Sequence, residues 1–228
     1  MITNRVDQTY DEIHPSLTRL FLITMTNSQG KTINQELRTQ VTILGSSVAL
    51  MWAIELLDFV VFRGELDRYG IRPHNISGLW GILFAPFLHG GFGHLMANTV
   101  PFITLGWLVM LQETSDFFIV TAIAMVVGGL GTWFTGSPNS IHVGASGVIF
   151  GYLGFLLFRG YFLRNIPSIA VALVVGMFYG GLLWGVLPGQ VGISWQGHLF
   201  GFIGGAIAAK FLSSSTNTSE AKSNKSKY

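Results

Sequence analysis

The chain has 228 residues, 50% of them hydrophobic and only 11% charged, where a soluble domain carries about 25% charged residues. Its mean hydropathy is +0.51, so too little charge remains to coat a water-facing surface. The net charge of +2 is too small to argue for nucleic acid, and the absence of cysteine excludes thiol chemistry, disulfides and cysteine-ligated metals.

Residues 1–40 form a polar N-terminal segment without the apolar core of a signal peptide, so membrane entry is expected through an internal span. Within it, Phe21 to Met25 fit a short amphipathic helix. A bilayer core needs about 20 mostly apolar residues per helix. Six stretches qualify as candidate spans: 41–62, 94–111, 117–135, 145–158, 169–187 and 195–212. The segment between the first two holds Trp80, Phe84, Phe87, Leu88 and Phe92, too apolar for a solvated loop. It is expected to be a structured element at the membrane interface. Residues 213–228, rich in Ser, Asn and Lys, read as a disordered cytoplasmic tail.

With six spans both termini share one side. That side receives most of the basic residues, including Arg159 and Arg164 in a short loop, and the other receives only Arg63, Arg68 and Arg72. The positive-inside rule makes the first side cytoplasmic. The second, fourth and sixth spans then start at one depth near the outer leaflet, and the polar residues of the membrane region gather at those starts. They are His94 and Asn98, Ser146 between Gly144 and Gly147, and His198.

These residue types suit acyl transfer. A serine hydroxyl needs a base to become a nucleophile, and imidazole titrates near neutrality. Ser146 begins a helix, where unpaired N–H groups favour negative charge. Gly144 and Gly147 permit close approach of a substrate backbone. His94 and Asn98, four apart, project from one helix face and can each donate a hydrogen bond to an oxyanion, with the Ser146 amide as a third donor. Blander readings stand beside these. A serine between glycines suits helix packing, as do Gly201 and Gly205. Asn98 could bridge helices, whereas an intramembrane histidine such as His198 is a functional candidate by default. His89 and His142, in loops, read as surface or interface residues, although His89 could line the mouth of a site. Glu55 and Asp58 read as a structural pair with backbone, a proton path, or residues at the outer end of the first span.

Taken together, His94-Leu-Met-Ala-Asn98, Gly144-Ala-Ser146-Gly147 and His198-Leu-Phe-Gly201-Phe-Ile-Gly-Gly205 resemble the rhomboid intramembrane proteases. Their pattern is HxxxN in the second span, GxSG at the fourth and HxxGxxxG in the sixth. The resemblance covers residues 41–212 and implies an all-α membrane protein, a six-transmembrane-helix rhomboid-like bundle. It implies a Ser146–His198 dyad that cleaves single-span membrane proteins, with His94, Asn98 and the Ser146 amide as oxyanion hole. Gly144, Gly147, Gly201 and Phe150 support the site, with no cofactor and no metal. The expected location is the plasma (inner) membrane of a bacterium, multi-pass, both termini cytoplasmic. Two positions depart from many members: Trp80 is followed by Gly81 instead of Arg, and Phe150 stands where Tyr is common. A phenyl ring can still stack on His198. The alternatives are a catalytically silent relative that binds membrane proteins and, less favoured, a transporter or channel. The presence of both Ser146 and His198 speaks against the first. The lack of charge over 117–158 and of paired broken helices speaks against the second.

Overall fold

Long apolar runs leave backbone N–H and C=O groups no partner but one another, and the described backbone is accordingly helical. The computed structural model describes residues 33–225 except 112 and 191. The N-terminal segment, with its expected amphipathic helix, therefore lies almost wholly outside the described residues. The chain divides into two units, Met1–Ile43 and Leu44–Tyr228. Of the first, the described part belongs to the helix α1, Ile33–Leu57, which continues as a π-helical turn, Asp58–Phe62. The second unit holds a short helix α2, Gly81–Phe84, then α3, Phe92–Val109, and α4, Thr114–Thr135. It continues with α5, Ser146–Leu163, then α6, Ile166–Tyr179, extended as a 3-10 segment Gly180–Val186, and α7, Trp195–Lys225. No strand occurs among the described residues; one isolated bridge pairs Ile71 with His142.

Among the described residues five helices are long and apolar enough to cross a membrane: Ile33–Phe62, Phe92–Val109, Thr114–Thr135, Ser146–Leu163 and Ile166–Val186. The sixth predicted stretch forms the first part of α7, which is not among them. That helix runs past residue 212, into the segment whose composition suggests a disordered tail. No glycine or proline follows Gly205 to stop it, and the Ser214 hydroxyl donates to the Lys210 carbonyl at 2.9 Å.

Burial ranks the helices. On α3 the buried residues Leu95, Asn98, Phe102, Leu105 and Val109 recur every three or four positions, one stripe of a helix. On α5 burial covers nearly the whole circumference, from Val148 through Leu156. Helix α5 is thus central, packed by α7, α6, α4 and α3. On α6 only Ser168 and Val175 are buried.

The segment between α1 and α3 is structured, as its aromatic content predicts. It folds as 3-10 turns around α2. Backbone bonds of 2.9 Å in both directions join Ile71 to His142, and Gly144 N–H donates to the Ala85 carbonyl at 2.8 Å. The Trp133 indole donates to the Asn75 carbonyl at 2.9 Å. At its start the buried Asp58 carboxylate accepts from Leu66 N–H at 3.0 Å. Burial and the Asp58 charge push the nearby Asp67 carboxyl up to about 6.

Arg159 corrects the sequence reading. It lies within α5, not in the loop before Pro167. Its guanidinium donates to the Asp116 carboxylate of α4 at 2.6 Å, both side chains almost fully buried. A charge neutralised in place does not end a helix, so α5 extends past 158. Arg164 alone remains as the basic residue between α5 and α6. Removing one partner of a buried ion pair strands the other charge. Asp116→Ala should therefore destabilise the protein by about 3–5 kcal/mol. The double variant Asp116→Leu/Arg159→Leu should be less destabilised than either single leucine variant. Unfolding of the purified proteins in mixed micelles measures both.

Candidate active site

Helices α5 and α7 meet at backbone distance. A Cβ on Gly201 would collide with the carbonyl oxygen of Gly147, and one on Gly205 with that of Gly151. Two glycine pairs, each spaced by four, therefore form a seam where only hydrogen atoms separate the chains. The packing role read for Gly201 and Gly205 is what this geometry shows. The seam ends next to the candidate dyad: Ser146 precedes Gly147, and His198 lies one turn before Gly201.

Ser146 is the first residue of α5. The chain reaches it through Gly144, whose φ of 110° lies where side chains are strained. The space a Cβ would fill at Gly144 is taken by the His94 imidazole, 2.6 Å from the position that Cβ would occupy, with the Asn98 amide 3.4 Å from it. Both candidate oxyanion donors of α3 thus abut the approach to Ser146. Asn98 is buried and spends one amide hydrogen on the His94 carbonyl at 3.2 Å.

A cavity of about 740 Å³ opens on this point, lined among others by His94, Asn98, Ser146, Phe150, His142 and His198. The Phe150 ring lies flat on the His198 imidazole, centroids 4.0 Å apart and planes within 7°. Phe150 sits one turn after Ser146 on α5, so the helix that carries the serine also carries the platform for the histidine. His198 Nδ1 lies 2.9 Å from the Gly185 carbonyl. A carbonyl only accepts, so Nδ1 carries the proton and Nε2 keeps its lone pair. No hydrogen bond joins Ser146 to His198 among the described residues. Apo catalytic contacts commonly tighten only around a substrate.

The carboxylates stand elsewhere. Asp58 meets Leu66 N–H, and Glu55 meets the backbone of Gly91, so each is paired with backbone. Among the described residues no group of three or more His, Asp or Glu could hold a metal ion.

Gly185 and His142 escape the sequence reading, and His89 does so in part. Gly185 acts through its carbonyl, which no residue letter encodes. His89, read as a surface or interface residue that could line the mouth of a site, is 1% exposed and lies edge-on to His94, with centroids 5.3 Å apart. Its Nε2 accepts from the Ala145 N–H at 3.4 Å. Burial, and His94 beside it, push its imidazole down to about 4, so it is neutral and able to accept. His142 is not an ordinary surface residue. It is half-buried and bonded through both ring nitrogens, at 2.8 Å to Ser140 Oγ and 2.6 Å to Ser194 Oγ. A histidine inside so apolar a segment as Phe87 to Phe92 was the available signal for His89.

Comparison with known proteins identifies the family. The family model for the Rhomboid domain matches residues 77–215. An uncharacterized protein of Mycobacterium bovis is 48% identical over 180 residues, covering 75% of each chain. A provisionally named rhomboid protease of Bacillus subtilis, YdcA, is 30% identical over 174 residues, covering 73% of this chain and 85% of its own. The rhomboid protease GluP of Bacillus subtilis is 34% identical over 156 residues, covering 64% of this chain but 29% of its own. With the model match spanning most of the described helices, the chain belongs to the rhomboid family and is an integral membrane protein.

Proposed function

We propose that the chain is an intramembrane serine endopeptidase that cleaves single-span membrane proteins through a Ser146–His198 dyad. The observation that carries this is one cavity onto which Ser146, His198, His94 and Asn98 all open, with the His198 ring already fixed in the tautomer a base requires. Family membership supports protease chemistry, since relatives are named as proteases.

The steps follow from the geometry. His198 Nε2 takes the proton of Ser146 Oγ as the oxygen attacks the scissile carbonyl carbon. The carbonyl oxygen becomes negative and meets His94, the Asn98 amide hydrogen left over from its helix bond, and the Ser146 N–H. When the C–N bond breaks, His198 returns the proton to the departing amine. Water then repeats the sequence on the acyl-enzyme, with His198 again as base. A carboxylate is not needed to orient the ring, because the Gly185 carbonyl fixes Nδ1–H and Phe150 fixes the plane. This spares the bilayer a buried charge, which is costly there.

In this reading α7 supplies the sixth span, both termini are cytoplasmic, and the site opens towards the outer leaflet. The membrane is a bacterial plasma membrane, as the mycobacterial and Bacillus relatives suggest.

Three outcomes are expected. Purified wild-type protein cleaves members of a panel of single-span substrates, Ser146→Ala and His198→Ala abolish cleavage, and the double variant is no worse, as for residues acting as one unit. Clear cleavage by Ser146→Ala would remove the assignment. Asn98→Ala lowers turnover by roughly 10²–10³-fold, the usual cost of one oxyanion donor; wild-type turnover would make Asn98 a packing residue. Because the chain has no cysteine, Asn75→Cys and Ser223→Cys can each be probed alone. An impermeant thiol reagent on intact cells labels the first and spares the second; the reverse pattern inverts the topology.

A further inference from the structure

Building on the dyad reading, we propose that His142 is a positioning residue: its imidazole clasps the segment that leads into Ser146 to the N-terminal cap of the helix that carries His198.

Ser194 caps α7. Its carbonyl accepts the first helical bond, from His198 N–H at 3.1 Å. Its hydroxyl oxygen accepts from Gly197 N–H at 3.3 Å, the side-chain capping bond that serine favours. The same hydroxyl lies 2.6 Å from His142 Nδ1. At the other edge of the ring, Nε2 lies 2.8 Å from Ser140 Oγ. The Ser140 hydroxyl gives its hydrogen to the Ser137 carbonyl at 2.6 Å.

These contacts fix every proton. A carbonyl only accepts, so Ser140 O–H points at Ser137 and Ser140 Oγ can only accept from the ring. His142 Nε2 is therefore protonated. Nδ1, in the neutral ring, accepts the Ser194 O–H, whose oxygen still takes the Gly197 N–H. Every donor has one acceptor, in a single directed chain: Gly197 N–H to Ser194, Ser194 O–H to His142, His142 N–H to Ser140, Ser140 O–H to Ser137. Burial holds the imidazole below its usual range, in keeping with the neutral form. The backbone of His142 is itself pinned to Ile71 by two bonds of 2.9 Å.

The consequence is mechanical. The glycine seam sets the separation of α5 and α7 beyond the dyad, towards the cytoplasmic end. The clasp sets it on the other side, four residues before Ser146 and four before His198. Without it the first turn of α7 is still helical, but among the described residues no other hydrogen bond ties its cap to the segment before Ser146.

The test uses the full-length protein in micelles, with the rate of Ser146 modification by a fluorophosphonate and the kinetics of substrate cleavage as readouts. His142→Phe keeps the ring volume and removes both bonds. It should slow modification and lower kcat by roughly 10- to 100-fold, the scale of a small misplacement, with KM close to wild type. His142→Asn should recover most of the rate, because its Oδ1 can accept the Ser194 O–H. Ser194→Ala should slow the reaction, and adding it to His142→Phe should cost little more. Wild-type modification rates in His142→Phe would overturn the proposal. So would rates in His142→Asn as low as in His142→Phe, which would show a purely structural role. Should His142→Phe fail to fold, an unslowed Ser194→Ala overturns it equally. A wild-type protein that the probe does not modify would instead fail the dyad reading, and this inference with it.

Discussion

The backbone contact between α5 and α7 is the constraint on which the site depends. Gly147 faces Gly201 and Gly151 faces Gly205 so closely that a single methyl group at Gly201 or Gly205 would strike a carbonyl oxygen. In lipid there is no hydrophobic force to draw helices together, so small residues that let backbones touch must supply the packing. Ser146 and His198 each sit at the edge of this seam. Their proximity is therefore inherited from packing that involves neither side chain. Helix α5, covered by four neighbours, is buried over nearly its whole circumference, while α6 presents most of its surface outward.

A histidine inside a membrane must be held by something, and here it is held without charge. The Phe150 ring restricts tilt, and the Gly185 carbonyl fixes rotation and tautomer. Both are electrically neutral, so neither incurs the desolvation of a carboxylate. The same economy recurs around the site. His89 accepts a backbone N–H as a neutral ring, and His142 joins two serines. The almost fully buried ion pair of Asp116 with Arg159 joins α4 to α5 by way of the end of α5 opposite Ser146. Hydrogen-bonded neutral histidines and serines thus surround Ser146, and the Asp116–Arg159 pair lies away from it.

Much of this was legible in the sequence, for physical reasons. Spans announce themselves because backbone in lipid must be helical and apolar. The three motifs fall at helix starts, where polar groups lie nearer a membrane surface than its centre. Gly201 and Gly205 declare a close contact because glycine has few other uses at that spacing within an apolar helix. What was not legible depends on partners distant in sequence. Arg159 looked like a loop charge because its neutralising Asp116 lies 43 positions earlier. His142 looked like a surface residue because Ser194 lies 52 positions later. Gly185 could not be found at all, since its contribution is a carbonyl every residue has. The ends of helices were also uncertain: α7 runs on because nothing in its sequence stops it, although its composition has already changed.

The central claim is that Ser146 is a nucleophile served by His198 and by the donors of α3. The structure of the protein after reaction with a fluorophosphonate tests this most directly. The proposed dyad predicts phosphorus bonded to Ser146 Oγ and the phosphoryl oxygen within hydrogen-bonding distance of His94, Asn98 Nδ2 and the Ser146 N–H. It also predicts His198 still stacked on Phe150, with Nδ1 donating to Gly185. An adduct on another residue, or one whose phosphoryl oxygen points away from α3, would contradict it.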